Sequence, residues 1–109
     1  MGFIMVLDCK SSDDLKNFIV NNKYCVVLVG NRGCSKCASL LPVLEKVYNI
    51  YPAIQYIIAT ESVASIVTKP FVVHAMSVLF FKNSKYVSLV KYSYATHPYI
   101  RHIEKMIKD

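Results

Sequence analysis

Two of the four cysteines in this chain stand as Cys34-Ser35-Lys36-Cys37, a spacing that suits thiol–disulfide exchange. If the segment opens a helix, two intervening residues put the second thiol about one turn from the first. The flanks fit that arrangement. Tyr24 to Gly30 is a run of Val, Leu and Cys that reads as a buried strand, and Ala38 to Tyr51 reads as a helix. At a helix start the unpaired N–H groups and the helix dipole stabilise a thiolate on Cys34. Arg32 and Lys36, close by in sequence, favour the same anion. Cys34 is therefore the expected nucleophile, more acidic and more exposed than Cys37, which resolves the mixed disulfide formed with a substrate. The competing reading is structural, because free cysteine often behaves as a small buried hydrophobe.

The elements that must position this pair follow from the hydrophobic pattern. Phe3 to Asp8 reads as a first strand. Ser11 or Ser12 caps a helix to about Asn21, with Asp13 and Asp14 in its first turn and Leu15, Phe18 and Ile19 on one face. Val26 to Val29 is apolar without alternation, as expected of a central parallel strand covered on both faces. The helix after Cys34 carries Leu40, Leu41, Leu44, Val47 and Tyr48 at helical spacing, with Pro42 expected to kink it. Ile54 to Ala59 is a strand and Glu61 to Thr68 a short helix stopped by Lys69-Pro70. Ser77 to Lys82 and Tyr86 to Lys91 are strands joined by Asn83-Ser84-Lys85 as a hairpin. His97-Pro98 opens a last helix with Ile100, Ile103 and Met106-Ile107 inward. The order β-α-β-α-β-α-β-β-α predicts an α/β fold, a mixed central sheet flanked by helices.

Length and composition narrow the function classes. A chain of 109 residues, 54% hydrophobic, is expected as a single domain, 1–109, with a core that needs no disulfide staples. No apolar run nears the roughly 18 residues of a membrane span. Met1 to Leu7 lacks the basic flank and cleavage pattern of a signal peptide, so a reducing, cytoplasmic setting is expected. The net charge of +6 comes from Lys and Arg scattered singly, which reads as ordinary surface charge, with affinity for acidic partner proteins as the alternative. No nucleic-acid motif accompanies it. Tyr92, Tyr94 and Tyr99 tempt a base-stacking reading, but half-buried strand and helix tyrosines explain them better.

Over essentially its whole length the chain resembles the thioredoxin family. A Cys-x-x-Cys in a βαβ context is itself thioredoxin-like. Pro42, five residues after Cys37, matches the kinking proline that follows the thioredoxin dithiol, and Val78-Leu79-Phe80-Phe81-Lys82-Asn83 looks like the family's fourth strand running into its hairpin. The departures are specific. Gly33 stands where thioredoxins carry tryptophan, Ser35-Lys36 where they carry Gly-Pro, and Leu28 where a buried aspartate accepts the second thiol's proton. Met76 stands at the position of the cis-proline that faces the dithiol. A non-proline cis bond costs about 2.5–4 kcal/mol, so the Val73–Met76 loop is expected all-trans. Met76→Pro is expected to restore ordinary thioredoxin behaviour if the backbone accepts a cis bond.

The resemblance implies a thiol–disulfide oxidoreductase acting on protein disulfides through Cys34 and Cys37. It implies Gly33, Ser35, Lys36, Ala75 and Met76 against the substrate, an unidentified reductase as partner, no cofactor, no membrane and a monomer. The alternative is a non-catalytic binding module of the same fold whose cysteine pair is vestigial, regulatory or metal-binding. For metal, His74 could approach the dithiol from the loop near Met76, and two subunits could share an ion. Zinc sites usually show a second cysteine or histidine pair, however, and no metal is expected. His97 and His102 are expected on the surface of the last helix. In this arrangement Cys9 ends one strand and Cys25 begins a parallel neighbour, on the order of 15 Å away, so both are expected as free thiols.

Overall fold

The computed structural model describes the backbone of residues 7–30 and 35–108, and the side chains of 9–30 and 39–108. Its elements are β1 (Leu7–Asp8), α1 (Ser12–Asn21), β2 (Tyr24–Val29), α2 (Ser35–Ile50), β3 (Gln55–Ala59), α3 (Glu61–Val67), β4 (Ser77–Lys82), β5 (Lys85–Lys91) and α4 (His97–Lys108). Of the expected first strand, Phe3 to Val6 lie outside the described residues. Residues 31–34, with Gly33 and Cys34, do so too.

The strands form one mixed sheet in the order β1-β3-β2-β4-β5. β1, β3 and β2 run parallel, while β4 is antiparallel to both β2 and β5. β2 is central and buried on both faces, and its side chains alternate between two cores. Val26 and Leu28 pack with Leu40, Leu44 and Val47 of α2 and with Tyr99, Ile103 and Met106 of α4. Cys25, Val27 and Val29 pack on the opposite face with Leu15 and Ile19 of α1 and Ala64 of α3. The sheet therefore carries two helices on each face. β3 lies between β1 and β2, so Cys9 and Cys25 do not belong to neighbouring strands as expected. Both are nonetheless free thiols.

Local chemistry accounts for the element ends. The Ser11 hydroxyl accepts from the Asp14 N–H and caps α1. Thr60 does the same for α3 through the Val63 N–H. Asn83 and Ser84 both take positive φ, 50° and 69°, the two-residue turn that matches strand twist. The pairing starts at Lys82–Lys85, and the register shifts between Phe80 and Phe81. α2 continues through Pro42, whose missing N–H lies on an exposed stretch of the helix.

The last helix differs from the sequence reading. Its inner face is Tyr99, Ile103 and Met106, and Ile107 is 41% exposed. Tyr99 can be fully buried because its hydroxyl donates to the Ser93 carbonyl at 2.9 Å and accepts from the Ser93 N–H at 2.6 Å. Tyr94, expected half-buried, is 62% exposed. His102 is not a plain surface residue. Its ring stacks on Phe80 with centroids 5.4 Å apart, and its Nδ1 lies 2.8 Å from the Ser88 hydroxyl.

Burial first, then the charges of Lys105 and Arg101, hold the His102 pKa below its ordinary 6.5. The unfolded chain therefore binds the extra proton more readily, and stability must fall as pH drops through 6.5. Urea midpoints about one unit above and below that pH should differ, and His102→Gln should shrink the difference. Tyr56 offers a second test. Its buried hydroxyl has no hydrogen-bond partner among the described residues, so Tyr56→Phe should stabilise the fold by about 1 kcal/mol. Calorimetry should show this as a melting temperature raised by about 4 °C.

Candidate functional site

β2 ends at Val29 and α2 begins at Ser35, so the motif stands where β2 gives way to α2 in the sequence. Ser35, Lys36 and Cys37 make the first turn of α2. Cys34 and Gly33, together with the side chains of Ser35, Lys36 and Cys37, lie outside what is described.

The described part of the site is the loop of residues 71–76 and its junction with β2. The Val29 carbonyl accepts from the Met76 N–H at 3.0 Å and from the Tyr92 hydroxyl at 2.8 Å. The Met76 carbonyl in turn accepts from the Tyr92 N–H at 2.9 Å. In extended backbone the N–H and C=O of one residue point to the same neighbouring strand. Met76 sends its N–H towards β2 and its C=O to the residue following β5. It does so by taking φ 67°, a left-handed conformation that costs a non-glycine residue roughly 1 kcal/mol. The two hydrogen bonds offset that cost.

The peptide bond before Met76 is trans, as the sequence reading expected; the cis bond among the described residues is Lys69–Pro70. The expectation for Met76→Pro is overturned. Proline fixes φ near −65° and has no N–H, so it fits neither the bend at residue 76 nor the bond to Val29.

Ser and Thr side chains pin the rest of the loop. The Ser65 hydroxyl donates to the Val73 carbonyl at 3.2 Å and accepts from the Val73 N–H at 3.1 Å. The buried Thr68 hydroxyl reaches the Phe71 carbonyl at 2.7 Å. His74 is exposed and sits 3.3 Å from the Glu61 carboxylate. Ala75 is exposed and Met76 half-buried. Between this loop and β5 runs a groove of about 480 Å³, lined by Val72, His74, Ala75, Met76, Leu89 and Lys91 among others. Ser65, Thr68 and Tyr92 were not legible as site residues, since nothing local marks a helix serine or a strand-end tyrosine as a loop anchor.

The two described thiols are unsuited to nucleophilic work. Cys25 is fully buried, its thiol donates to the Asn22 carbonyl at 3.2 Å, and burial pushes its pKa up to about 12. Partial burial, with a smaller contribution from the Asp14 charge, raises Cys9 as well. Leu28, six residues before Cys34, is 1% exposed and packed in the core cluster shared with α2. Among the described residues no group of three or more His, Cys, Asp or Glu is arranged to hold a metal ion, and no helix is long and apolar enough to cross a membrane.

Neither a protein-family model nor a curated protein sequence matches this chain. Solved structures do. Mitochondrial thioredoxin 3 of Saccharomyces cerevisiae, in its oxidised form, superposes with a TM-score of 0.73 at 17% identity, over 92% of this chain and 94% of that one. The oxidised thioredoxin of Plasmodium falciparum matches with a TM-score of 0.72 at 21% identity, over 92% and 96%. The chain has the thioredoxin fold. A designed protein matches equally, with a TM-score of 0.74 at 12% identity over 98% and 96%. At such identities the likeness carries the architecture, and function must be argued from this chain's residues.

Met76→Pro should destabilise the protein by about 3 kcal/mol, from the lost N–H and the wrong φ. Met76→Gly should keep the loop, because glycine takes positive φ freely and retains the N–H. Chemical denaturation of the two variants separates these outcomes, and a stable, active Met76→Pro protein would mean the bend is not required.

Proposed function

We propose that the protein is a thiol–disulfide oxidoreductase acting on protein disulfides through Cys34 and Cys37. The observation that carries this reading is the position of the Cys-x-x-Cys motif in a thioredoxin fold. β2 ends at Val29, α2 opens at Ser35, and the Met76 loop is bonded to the end of β2.

In the proposed cycle the Cys34 thiolate attacks one sulfur of a substrate disulfide and expels the other as a thiolate, leaving a mixed disulfide. Cys37, deprotonated, then attacks the Cys34 sulfur. That step forms the Cys34–Cys37 disulfide and releases the second substrate thiol, so two electrons pass from the pair to the substrate. A dithiol reductase returns them. The helix start, with Arg32 and Lys36 nearby in sequence, supports the Cys34 anion. Gly33, Ser35, Lys36, Ala75 and Met76 are the residues proposed to meet the substrate. Leu28 offers no carboxylate to take the Cys37 proton, which goes to water or to another group, so resolution of the mixed disulfide is proposed as the slow step. Cys9 and Cys25, with their raised pKa values, do not compete. The protein is proposed to work as a monomer in a reducing, cytoplasmic setting and without a cofactor.

Two observations favour a second reading, a binding module of the same fold with an inactive cysteine pair: the trans, left-handed Met76 and the apolar burial of Leu28. Insulin reduction in dithiothreitol distinguishes the two. The wild-type protein should accelerate it, and Cys34→Ser should fall to the rate of dithiothreitol alone. Cys37→Ser should accumulate a substrate-linked species that mass spectrometry detects without reductant. Equal rates for wild type and Cys34→Ser would remove the enzymatic reading.

A further inference from the structure

We propose that the end of the molecule formed by the β4–β5 turn and the last turns of α1 and α3 is a peripheral docking surface for an anionic lipid bilayer. An exposed apolar strip and the lysines around it make that surface. The proposal is independent of the oxidoreductase reading, since none of these residues belongs to the motif.

The strip is continuous. Val20 in the last turn of α1, Ile66 near the end of α3 and Phe81 of β4 line one shallow recess. The Phe81 ring lies 5.8 Å from that of Tyr86, which lies 6.4 Å from that of Phe71. Phe81 is the buried floor, while Val20 is 67% and Phe71 63% exposed. Ile66 and Tyr86 are exposed to a lesser extent. Apolar residues scattered singly over a surface need no explanation, but a connected group marks an interaction site.

Lysines surround the strip and carboxylates do not. Lys16 lines the recess, Lys69 stands two residues before Phe71, and Lys85 precedes Tyr86. Lys23 joins them at the end of the sheet, where its carbonyl accepts from the Asn83 N–H at 2.8 Å. Among the described residues none of the four forms an ion pair. The helical carboxylates of this sheet face stand at the other end of their helices, Asp13 and Asp14 in the first turn of α1 and Glu61 in that of α3. Glu45 and Glu104 belong to α2 and α4, on the opposite face.

An apolar strip edged with unpaired lysines complements an anionic bilayer. Val20 and Phe71 can enter the boundary between headgroups and acyl chains, and the Tyr86 ring suits the same depth. Lysine stems lie along apolar surface while their ammonium groups meet lipid phosphates and carboxylates. The recess, about 220 Å³, is below the roughly 300 Å³ of an ordinary ligand pocket, and the most exposed residues stand out from the surface instead of enclosing a cleft. A second copy of this chain would set lysine against lysine. No described helix is long and apolar enough to cross a membrane, so the association is at the surface. Tyr24 pairs with Lys82 at this end of the sheet and Val29 with Ser77 at the other, so the end of β2 that leads to the motif faces away from the lipid.

Vesicle binding tests the proposal. The chain contains no tryptophan, so Phe71→Trp supplies a single reporter. With vesicles of phosphatidylcholine and about one-third phosphatidylserine, the wild-type protein should cosediment and the reporter's emission should shift to the blue. With phosphatidylcholine alone neither should occur, and added salt should weaken the binding. Lys69→Gln and Lys85→Gln should each lower the partition coefficient about fivefold. Lys46→Gln, the same change of charge on the exposed side of α2, should leave it unchanged. Phe71→Ser should lower it at every salt concentration. Three results would each overturn the proposal: no binding to the phosphatidylserine vesicles, equal binding to both kinds, or a loss in Lys46→Gln equal to that in Lys69→Gln, which would assign the effect to net charge. A protein that ignores vesicles but binds an acidic amphipathic peptide, or dimerises in sedimentation unless Phe71 is replaced by serine, would overturn it in favour of a protein partner.

Discussion

The carbonyl oxygen of Val29 is the point on which the site's geometry depends. β2 is buried on both faces, and its last carbonyl would be stranded where the strand leaves the sheet. It is satisfied twice, by the Met76 N–H and by the Tyr92 hydroxyl. Those two bonds draw the start of β4 and the end of β5 onto the last residue of β2, just before the chain turns towards α2. The left-handed bend at Met76 is the backbone consequence, since only that conformation gives β2 its donor while the carbonyl meets Tyr92. The wall of the groove and the position of Lys91 across from it follow from the same junction.

Much of the scaffold was legible because local signals and tertiary demands agree in it. Tyr24 to Gly30 was read as a buried strand, with Val26 to Val29 central, and Tyr24–Val29 forms that strand. The Ser11 cap sits where the hydroxyl, the acidic first turn and the apolar face all ask for a helix start, and Ser77 to Lys82 was read with its observed bounds. The motif's position between a strand and a helix was also visible, because it depends only on what flanks it. Failures arose where one residue answers to a distant one. The bond from Tyr92 to Val29 spans 63 positions, and nothing near Met76 announces that its N–H is needed elsewhere.

A nearer partner turned the last helix. The sequence reading put Ile107 inward and left Tyr99 half-buried. The choice fell to Tyr99 because Ser93 supplies both a donor and an acceptor for its hydroxyl, which removes the penalty of burying it. With Tyr99 inside, the helix is rotated so that His102 rests on Phe80 and meets Ser88. The neighbouring strands assumed for Cys9 and Cys25 failed for a topological reason. A β-α-β unit does not say whether a later strand will insert between its two strands, and here β3 does.

Leu28 shows how the core and the proposed chemistry pull against each other. A carboxylate at this position would sit among Leu40, Leu44 and Val78, where an ionised group costs several kcal/mol unless it is paired. A leucine there instead contributes about 1.5–3 kcal/mol by burial. Leu28 therefore favours stability and offers no proton acceptor to a neighbouring group. The thiols divide along the same line. The two that pack against the body of the fold are held protonated, Cys25 by full burial and Cys9 by partial burial. A cysteine pair at a helix start, with basic residues nearby in sequence, is the kind of place where a thiolate is physically favoured. In a chain with this core, disulfide chemistry falls to the motif itself, and Leu28 takes no part in removing its second proton.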